Sequence, residues 1–371
     1  MPKKYTLAQI SKIPSVLMLQ DGSVYHGTSI GKIGTTSGEI CFNTGLTGYQ
    51  EVFTDPSYFG QILVATVDHI GNYGIADEDV ESESIKIAGL VCKNFSYTFS
   101  RKMAQMSIHD YFTQQNLSGI ADVDTRQLVR HIRNKGAMNA IISSEIFDLN
   151  ELKNSLALVP DMSGLELATK VTGFESYEFA SGNAGPKIAV LDLGLKKNIL
   201  RCLDERGAKM KVFPATTTFQ DMMEWQPEGF MITNGPGDPA AMDYAVHAVK
   251  AIVAANMPLF GICMGNQILG RACGLETYKM FNGHRGLNHP VKNLKTGLCE
   301  ITSQNHGFAI KNEGLDEAGV EITHIHLNDH SIAGIAVKGK KAFSVQFHPE
   351  SSPGPHDSRY LFDNFLNLIQ N

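Results

Sequence analysis

Gly261-Ile262-Cys263-Met264-Gly265 sets a cysteine between an apolar run, Pro258 to Ile262, and a segment of helical character, Met264 to Ala272. A thiol at a strand-to-helix turn is the setting of a nucleophile elbow with Cys in place of Ser. Flanking glycines relieve crowding at such a turn, and the helix N-terminus favours a thiolate and offers backbone N–H groups to a developing oxyanion. A buried cysteine that only fills the junction is the other reading of the same pentapeptide. A cysteine nucleophile needs a base, and the base needs an orienting group. His348-Pro349-Glu350 can supply both. Pro349 keeps His348 out of the helical region, and in extended chain residues two apart project to one side. Taken alone, the tripeptide also fits a surface loop with solvated side chains.

Asn234-Gly235-Pro236-Gly237-Asp238-Pro239 follows the expected strand Phe230 to Thr233. Its two glycines let backbone amides approach a ligand closely, and the C-terminal end of a strand in an open α/β sheet is where a ligand crevice forms. By itself the hexapeptide is equally a plain turn. Gly283-His284-Arg285-Gly286, Asn288-His289-Pro290-Val291 and Ser303-Gln304-Asn305-His306-Gly307-Phe308 hold three of the 13 histidines among polar neighbours. No expected helix carries H-x-x-x-H or H-E-x-x-H and these histidines read as spread through loops, which argues against a metal site.

The elements that must position these groups fall into two kinds. The first half holds short alternating or β-branched runs, such as Ser15 to Leu19 and Ile62 to Val67, with Asp21-Gly22 as a turn signal. It reads as β-rich with a few helices, among them Asp124 to Lys135, stopped by Gly136, and Asn150 to Leu158 before Pro160. The small-residue stretch between about Glu178 and Pro186 has the composition of a linker. It divides the chain into expected domains 1–184 and 187–371. Beyond it, strands at Lys187 to Leu193, Lys211 to Phe213, Phe230 to Thr233 and Pro258 to Ile262 alternate with helices at Leu195 to Arg206, Ala240 to Ala255 and Met264 to Ala272. Such alternation predicts a doubly wound α/β domain. Glu300 to Thr302, Gly334 to Val337 and Ala342 to Phe347 read as antiparallel strands before a last helix, Arg359 to Ile369.

With 371 residues, 43% of them hydrophobic and 19% charged, the chain can bury two cores and is not a disordered composition. A net charge of −6 without any Lys/Arg stripe makes nucleic acid an unsuitable partner. Polar residues and Lys12 interrupt the segment Met1 to Gln20, so it does not read as a signal peptide, and no run is long enough to span a bilayer. Six cysteines without a C-x-x-C pair fit neither a disulfide framework nor a zinc ribbon, which points to a reducing, cytoplasmic setting.

In this order, strand-Asn-Gly-Pro-Gly-Asp-Pro, Gly-Ile-Cys-Met-Gly-Asn-Gln and Phe-His-Pro-Glu resemble the class I (triad) glutamine amidotransferases over the whole second domain. Phe42 to Glu51, Thr54 to Tyr58 and Ser352 to Asp357 look like the small-subunit family of carbamoyl phosphate synthetase, a ligase. The resemblance implies that Cys263 attacks the side-chain amide of L-glutamine, His348 shuttles protons and Glu350 orients the histidine. It further implies that Gly235, Gly237, Gln267, Asn305, Gly307 and Phe308 line the glutamine pocket, with Met264 and a glycine of the Gly235 turn offering oxyanion N–H groups. Gly45 takes a place where some relatives have Ser, so there only a backbone contact is implied, and Asn266 stands where many relatives carry His.

By the same resemblance, ammonia passes through an internal tunnel to a separate large subunit. That subunit makes carbamoyl phosphate from bicarbonate and two ATP, for arginine or pyrimidine biosynthesis. ATP and Mg2+ then belong to the partner, this chain needs no metal or nucleotide, and the heterodimer forms a higher oligomer. A glutaminase subunit for another synthetase such as anthranilate synthase, a non-enzymatic docking scaffold, and a plain cysteine protease are the competing readings. The segment Asn43 to Glu51, the presence of Cys, His and Glu together, and the α/β elbow respectively weigh against them.

Overall fold

Short runs of apolar and β-branched residues, several of them buried on both faces, build the first part of the chain. A computed structural model describes residues 12–179 and 182–370, and every count below refers to these. Two units divide between Met162 and Ser163. Seven strands close a barrel in the first: β1 (Pro14–Leu19), β2 (Val24–Gly31), β3 (Thr35–Asn43), β4 (Gln61–Ala65), β5 (Gly89–Val91), β6 (Ser118–Ala121) and β7 (Met138–Ser143), in the order β1-β2-β6-β5-β4-β3-β7. Closure leaves no unpaired edge. Leu17 and Leu19, Ile62 and Val64, and Ala140 and Ile142 share one core with Leu128 and Ile132 of the helix Thr125–Lys135. Asp124 caps that helix by accepting from the Gln127 N–H at 2.9 Å, and Gly136 ends it at φ 91°. The intervening Val16, Met18 and Ile141 pack on Leu152 and Leu156 of a second helix, Leu149–Leu156.

The second unit is a sheet of ten strands: β8 (Tyr177–Glu178), β9 (Lys187–Asp192), β10 (Lys209–Pro214), β11 (Gly229–Ile232), β12 (Leu259–Ile262), β13 (Thr277–Asn293), β14 (Cys299–Ile310), β15 (Val320–His326), β16 (Ile332–Val337) and β17 (Ala342–Val345). Their order is β8-β10-β9-β11-β12-β17-β16-β15-β13-β14. The middle five, β10-β9-β11-β12-β17, are parallel, and the remaining pairings are antiparallel. Ala189, Leu191, Phe230, Ile232 and Leu259 face a core shared with the helices Asp243–Ala254 and Met264–Ala272. Ile188, Val190, Met231, Phe260 and Ile262 face another, shared with Lys197–Asp204 and Tyr360–Gln370. Helices thus cover both faces, as near-continuous apolar strands require.

The units divide earlier than the linker composition suggests. Leu165 O accepts from the Asp238 N–H at 2.9 Å, Gly164 N–H donates to the Asp238 carboxylate at 2.8 Å, and β8 pairs with β10. These contacts tie residues 163–179 to the α/β sheet. Ala180 and Ser181 of the expected linker, and residues 1–11 of the N-terminal segment, lie outside the described residues. The first α/β helix begins at Lys197 instead of Leu195, because Asp192 Oδ1 accepts the N–H groups of Gly194 and Leu195 at 2.9 and 2.8 Å and folds residues 193–196 into a turn. Among the described residues no helix is long and apolar enough to cross a membrane.

Candidate active site

The ends of β9, β11, β12 and β17 form the C-terminal edge of the parallel strands, where an open α/β sheet binds its ligands. Cys263 follows β12 directly and stands before the helix Met264–Ala272 with φ 54° and ψ −98°. A non-glycine residue at such a φ is strained, and strain of this kind gathers at functional sites. Both flanking glycines are forced by contact. A Cβ on Gly261 would meet Gly265 O at 2.7 Å, and one on Gly265 would meet Ile232 O at 2.3 Å. The Cys263 N–H is taken by Val345 O at 2.8 Å and the Gly265 N–H by Thr233 O at 3.0 Å, which locks the turn to β17 and β11. The Met264 N–H, at the helix N-terminus, has no backbone acceptor among the described residues, and neither has that of Gly235.

The buried Cys263 thiol donates to Asn305 O at 3.5 Å, and Gln346 Nε2 donates to its sulfur at 3.7 Å. His348 reaches the same place from the segment after β17, held by its N–H on Ser303 O at 2.9 Å. Its Nδ1 bonds Glu350 Oε1 at 2.7 Å, while the buried Nε2 has no hydrogen-bond partner among the described residues. Burial disfavours the imidazolium, but the Glu350 carboxylate and the Cys263 sulfur outweigh it and hold the ring's pKa above the ordinary histidine range. Burial would likewise raise Glu350. Lys196, whose Nζ lies 3.0 Å from Glu350 Oε1, and His348 overcome that and keep its carboxyl well below the usual range. The Lys196 side chain is only 3% exposed and its Nζ also donates to Ser351 O at 2.5 Å. Asn198 Nδ2 donates to Glu350 O. An oriented imidazole beside a thiol, with the Met264 N–H at the helix start and the Gly235 N–H in the loop after β11 lacking backbone acceptors among the described residues, can carry acyl transfer from an amide.

Of the pocket residues inferred from sequence, Gln267 is buried and bonds Phe308 O at 2.7 Å and Gln346 Oε1 at 3.2 Å through Nε2. Asn305 accepts from Cys263, and Gly307 has Arg285 Nη2 only 3.1 Å from where a Cβ would stand. A Cβ on Gly235 would meet Leu193 O at 2.0 Å, and Gly237 sits at φ 92° against Leu165. Gly45 belongs to the first unit, where its N–H bonds Asn43 Oδ1 at 2.6 Å and it lines a cavity with Leu46, Thr47, Tyr49 and Val52. Asn266 is buried, accepting from Ser344 Oγ at 2.9 Å and donating to Gln346 Oε1 at 3.3 Å.

Lys196, Asn198 and Gln346 are absent from the residues singled out by sequence. Alternation along Ser344, Gln346 and His348 is a signal that could have found Gln346, since all three point to one side. Nothing local distinguishes the buried Lys196 from its neighbour Lys197. The histidines also depart from expectation. His284 and His289 lie on β13, His306 on β14 and His326 on β15, not in loops, and strand pairing assembles His284, His289 and His326 into one cluster.

Comparison with known proteins gives two family matches: glutamine amidotransferase class-I over residues 189–368, and carbamoyl-phosphate synthase small chain, CPSase domain, over residues 17–142. A carbamoyl phosphate synthase small chain from Chlorobaculum tepidum is 45% identical over 363 residues, 97% of this chain and 99% of the relative. Proteins of the same name from Polynucleobacter asymbioticus and a Nostoc species are 47% and 45% identical, each covering 96% of both chains.

Proposed function

The chain belongs to the carbamoyl-phosphate synthase small-chain family, and from that premise we propose that it hydrolyses L-glutamine to glutamate and ammonia for a separate large subunit. The observation that carries the reading is Cys263 on its strained turn with the His348–Glu350 pair beside it. Cys263 attacks the side-chain carbonyl carbon as the thiolate, and the Met264 and Gly235 N–H groups receive the oxyanion. His348 protonates the amide nitrogen, the C–N bond breaks and ammonia leaves a glutamyl thioester. Water then adds, passing its proton to His348, and the C–S bond breaks to release glutamate and the thiolate. Gly235, Gly237, Gln267, Asn305, Gly307 and Phe308, all of the second unit, line the glutamine pocket, and Lys196 is a positioning residue that keeps Glu350 ionised.

The hydrolysis uses only this chain's side chains and backbone, with ATP and Mg2+ bound by the partner that makes carbamoyl phosphate from bicarbonate. A cytoplasmic heterodimer, further associated, serving arginine or pyrimidine biosynthesis completes the reading. The family match over residues 17–142 favours it over a glutaminase for another synthetase. The test is glutamate release by wild type and Cys263→Ala, with and without a large subunit, ATP and bicarbonate. Cys263→Ala should lower hydrolysis by a factor on the order of 1,000 or more, and the partner should accelerate the wild type. Hydrolysis retained in Cys263→Ala overturns the mechanism, and none in any mixture favours a docking scaffold.

A further inference from the structure

A polar cluster on the second unit takes no part in that hydrolysis. We propose that His284, His289 and His326 bind one divalent transition-metal ion of the zinc class. A ring nitrogen of each lies within 4.8 Å of those of the other two. His289 Nδ1 and His326 Nε2 share a hydrogen bond of 3.0 Å, which an ion would replace with a small opening, since nitrogens sharing a tetrahedral ion sit about 3.4 Å apart when metal–nitrogen bonds are about 2.1 Å. The His289 ring centroid is 5.3 Å from both others and tilted to each, so the three imidazoles are mutual neighbours. His284 and His326, 4.1 Å apart and nearly parallel, need to open slightly. Three histidines with a fourth position for water is a ligand set zinc accepts.

Asp329 supplies the support such a set needs. Its Oδ2 is 2.9 Å from His284 Nε2 and its Oδ1 is 3.3 Å from His326 Nδ1, so an ion would take His284 Nδ1 in place of its 3.1 Å bond to Gln304 Oε1. A carboxylate behind a ligating imidazole fixes the tautomer and raises ligand basicity. The Asn328 N–H, 3.2 Å from His326 Nδ1, competes for that nitrogen. An ion on Nε2 puts the proton on Nδ1 and decides the contest for the carboxylate. The ion would fasten β13 to β15 beside β14, where His306 pairs with His284 and its Nδ1 donates to Phe308 O at 2.8 Å.

The experiment is titration of the full chain, stripped with chelator, with Co2+ followed by visible absorption, and with Zn2+ by equilibrium dialysis and elemental analysis. Wild type and Cys263→Ala should each retain one ion per chain at micromolar free metal. Asp329→Asn should weaken binding by about 10-fold and the double variant His289→Gln/His326→Gln by about 100-fold or more. Equal retention by the double variant, loss in Cys263→Ala, or no retention by the wild type overturns the assignment. Should the double variant fail to fold, X-ray absorption of zinc-loaded wild type decides. Nitrogen and oxygen neighbours at about 2.0–2.1 Å are expected, and a sulfur at about 2.3 Å would place the ion on a cysteine instead.

Discussion

At the scale of single residues, the reactive types are legible in the sequence and their supports are not. Cys263 and the His348–Glu350 pair declare themselves by spacing within a few positions, because elbow and alternation are local rules. Lys196 acts on Glu350 from 154 positions away, and only the folded sheet end brings the two to 3.0 Å. That pair supports a prediction. Burial raises the Glu350 pKa, while Lys196 and His348 lower it further than burial raises it. The folded pKa therefore lies below the unfolded value, so Glu350 stabilises the fold above the unfolded pKa and loses that contribution as pH falls through the folded one. Lys196→Met removes the cation, and the Glu350 pKa must rise. Losing one partner of so buried a pair should cost about 3–5 kcal/mol, measured by urea unfolding at neutral pH. The acid limb of kcat/KM for glutamine hydrolysis should move to higher pH, and an unmoved limb would remove Lys196 from its positioning role.

At the scale of elements, two glycines around the helix Met264–Ala272 separate geometry from backbone strain. Gly265→Ala would drive a Cβ to 2.3 Å from Ile232 O, a backbone atom at the end of β11 that cannot rotate away. The helix start must shift, carrying Cys263 and the Met264 N–H with it. A displacement near 1 Å costs on the order of 100-fold in rate, so kcat should fall by about that factor. Gly274, just past the helix, has φ 93° with nothing within 4 Å of an added Cβ. Gly274→Ala should cost about 1–2 kcal/mol through φ alone and leave kcat unchanged. Equal kcat losses in the two variants would refute the tight-turn account. Four of the five parallel strands were readable because fully buried strands are continuous apolar runs, as in β9 and β12, whereas β17, expected within an antiparallel set, pairs parallel with β12 and antiparallel only with β16. The 17-residue β13 was not readable. Its register breaks between Lys279 and His284 and between Gly286 and His289, and it carries glycines, Pro290 and polar residues that mimic loops. Missing that strand scattered the histidines that strand pairing gathers.

At the scale of the whole molecule, the relatives match 96–97% of this chain, so the same polypeptide carries both the glutamine amidotransferase domain and the family's N-terminal domain. Ammonia released into neutral water is mostly protonated, so nitrogen handed to the partner before it equilibrates with solvent would be used in preference to nitrogen from dilute ammonium. This sets an isotope test on the complex with a large subunit. Given glutamine labelled in the amide nitrogen, bicarbonate, ATP and an excess of unlabelled ammonium, the carbamoyl phosphate formed should carry predominantly the glutamine label. The complex containing Cys263→Ala should still make product from the ammonium, with no label, because the variant removes the nitrogen source and not the docking surface. Label diluted to the bulk ratio in the wild-type complex would mean that nitrogen passes through solvent, whereas failure of the Cys263→Ala complex to use ammonium would show that the chain must complete a glutaminase cycle to activate its partner.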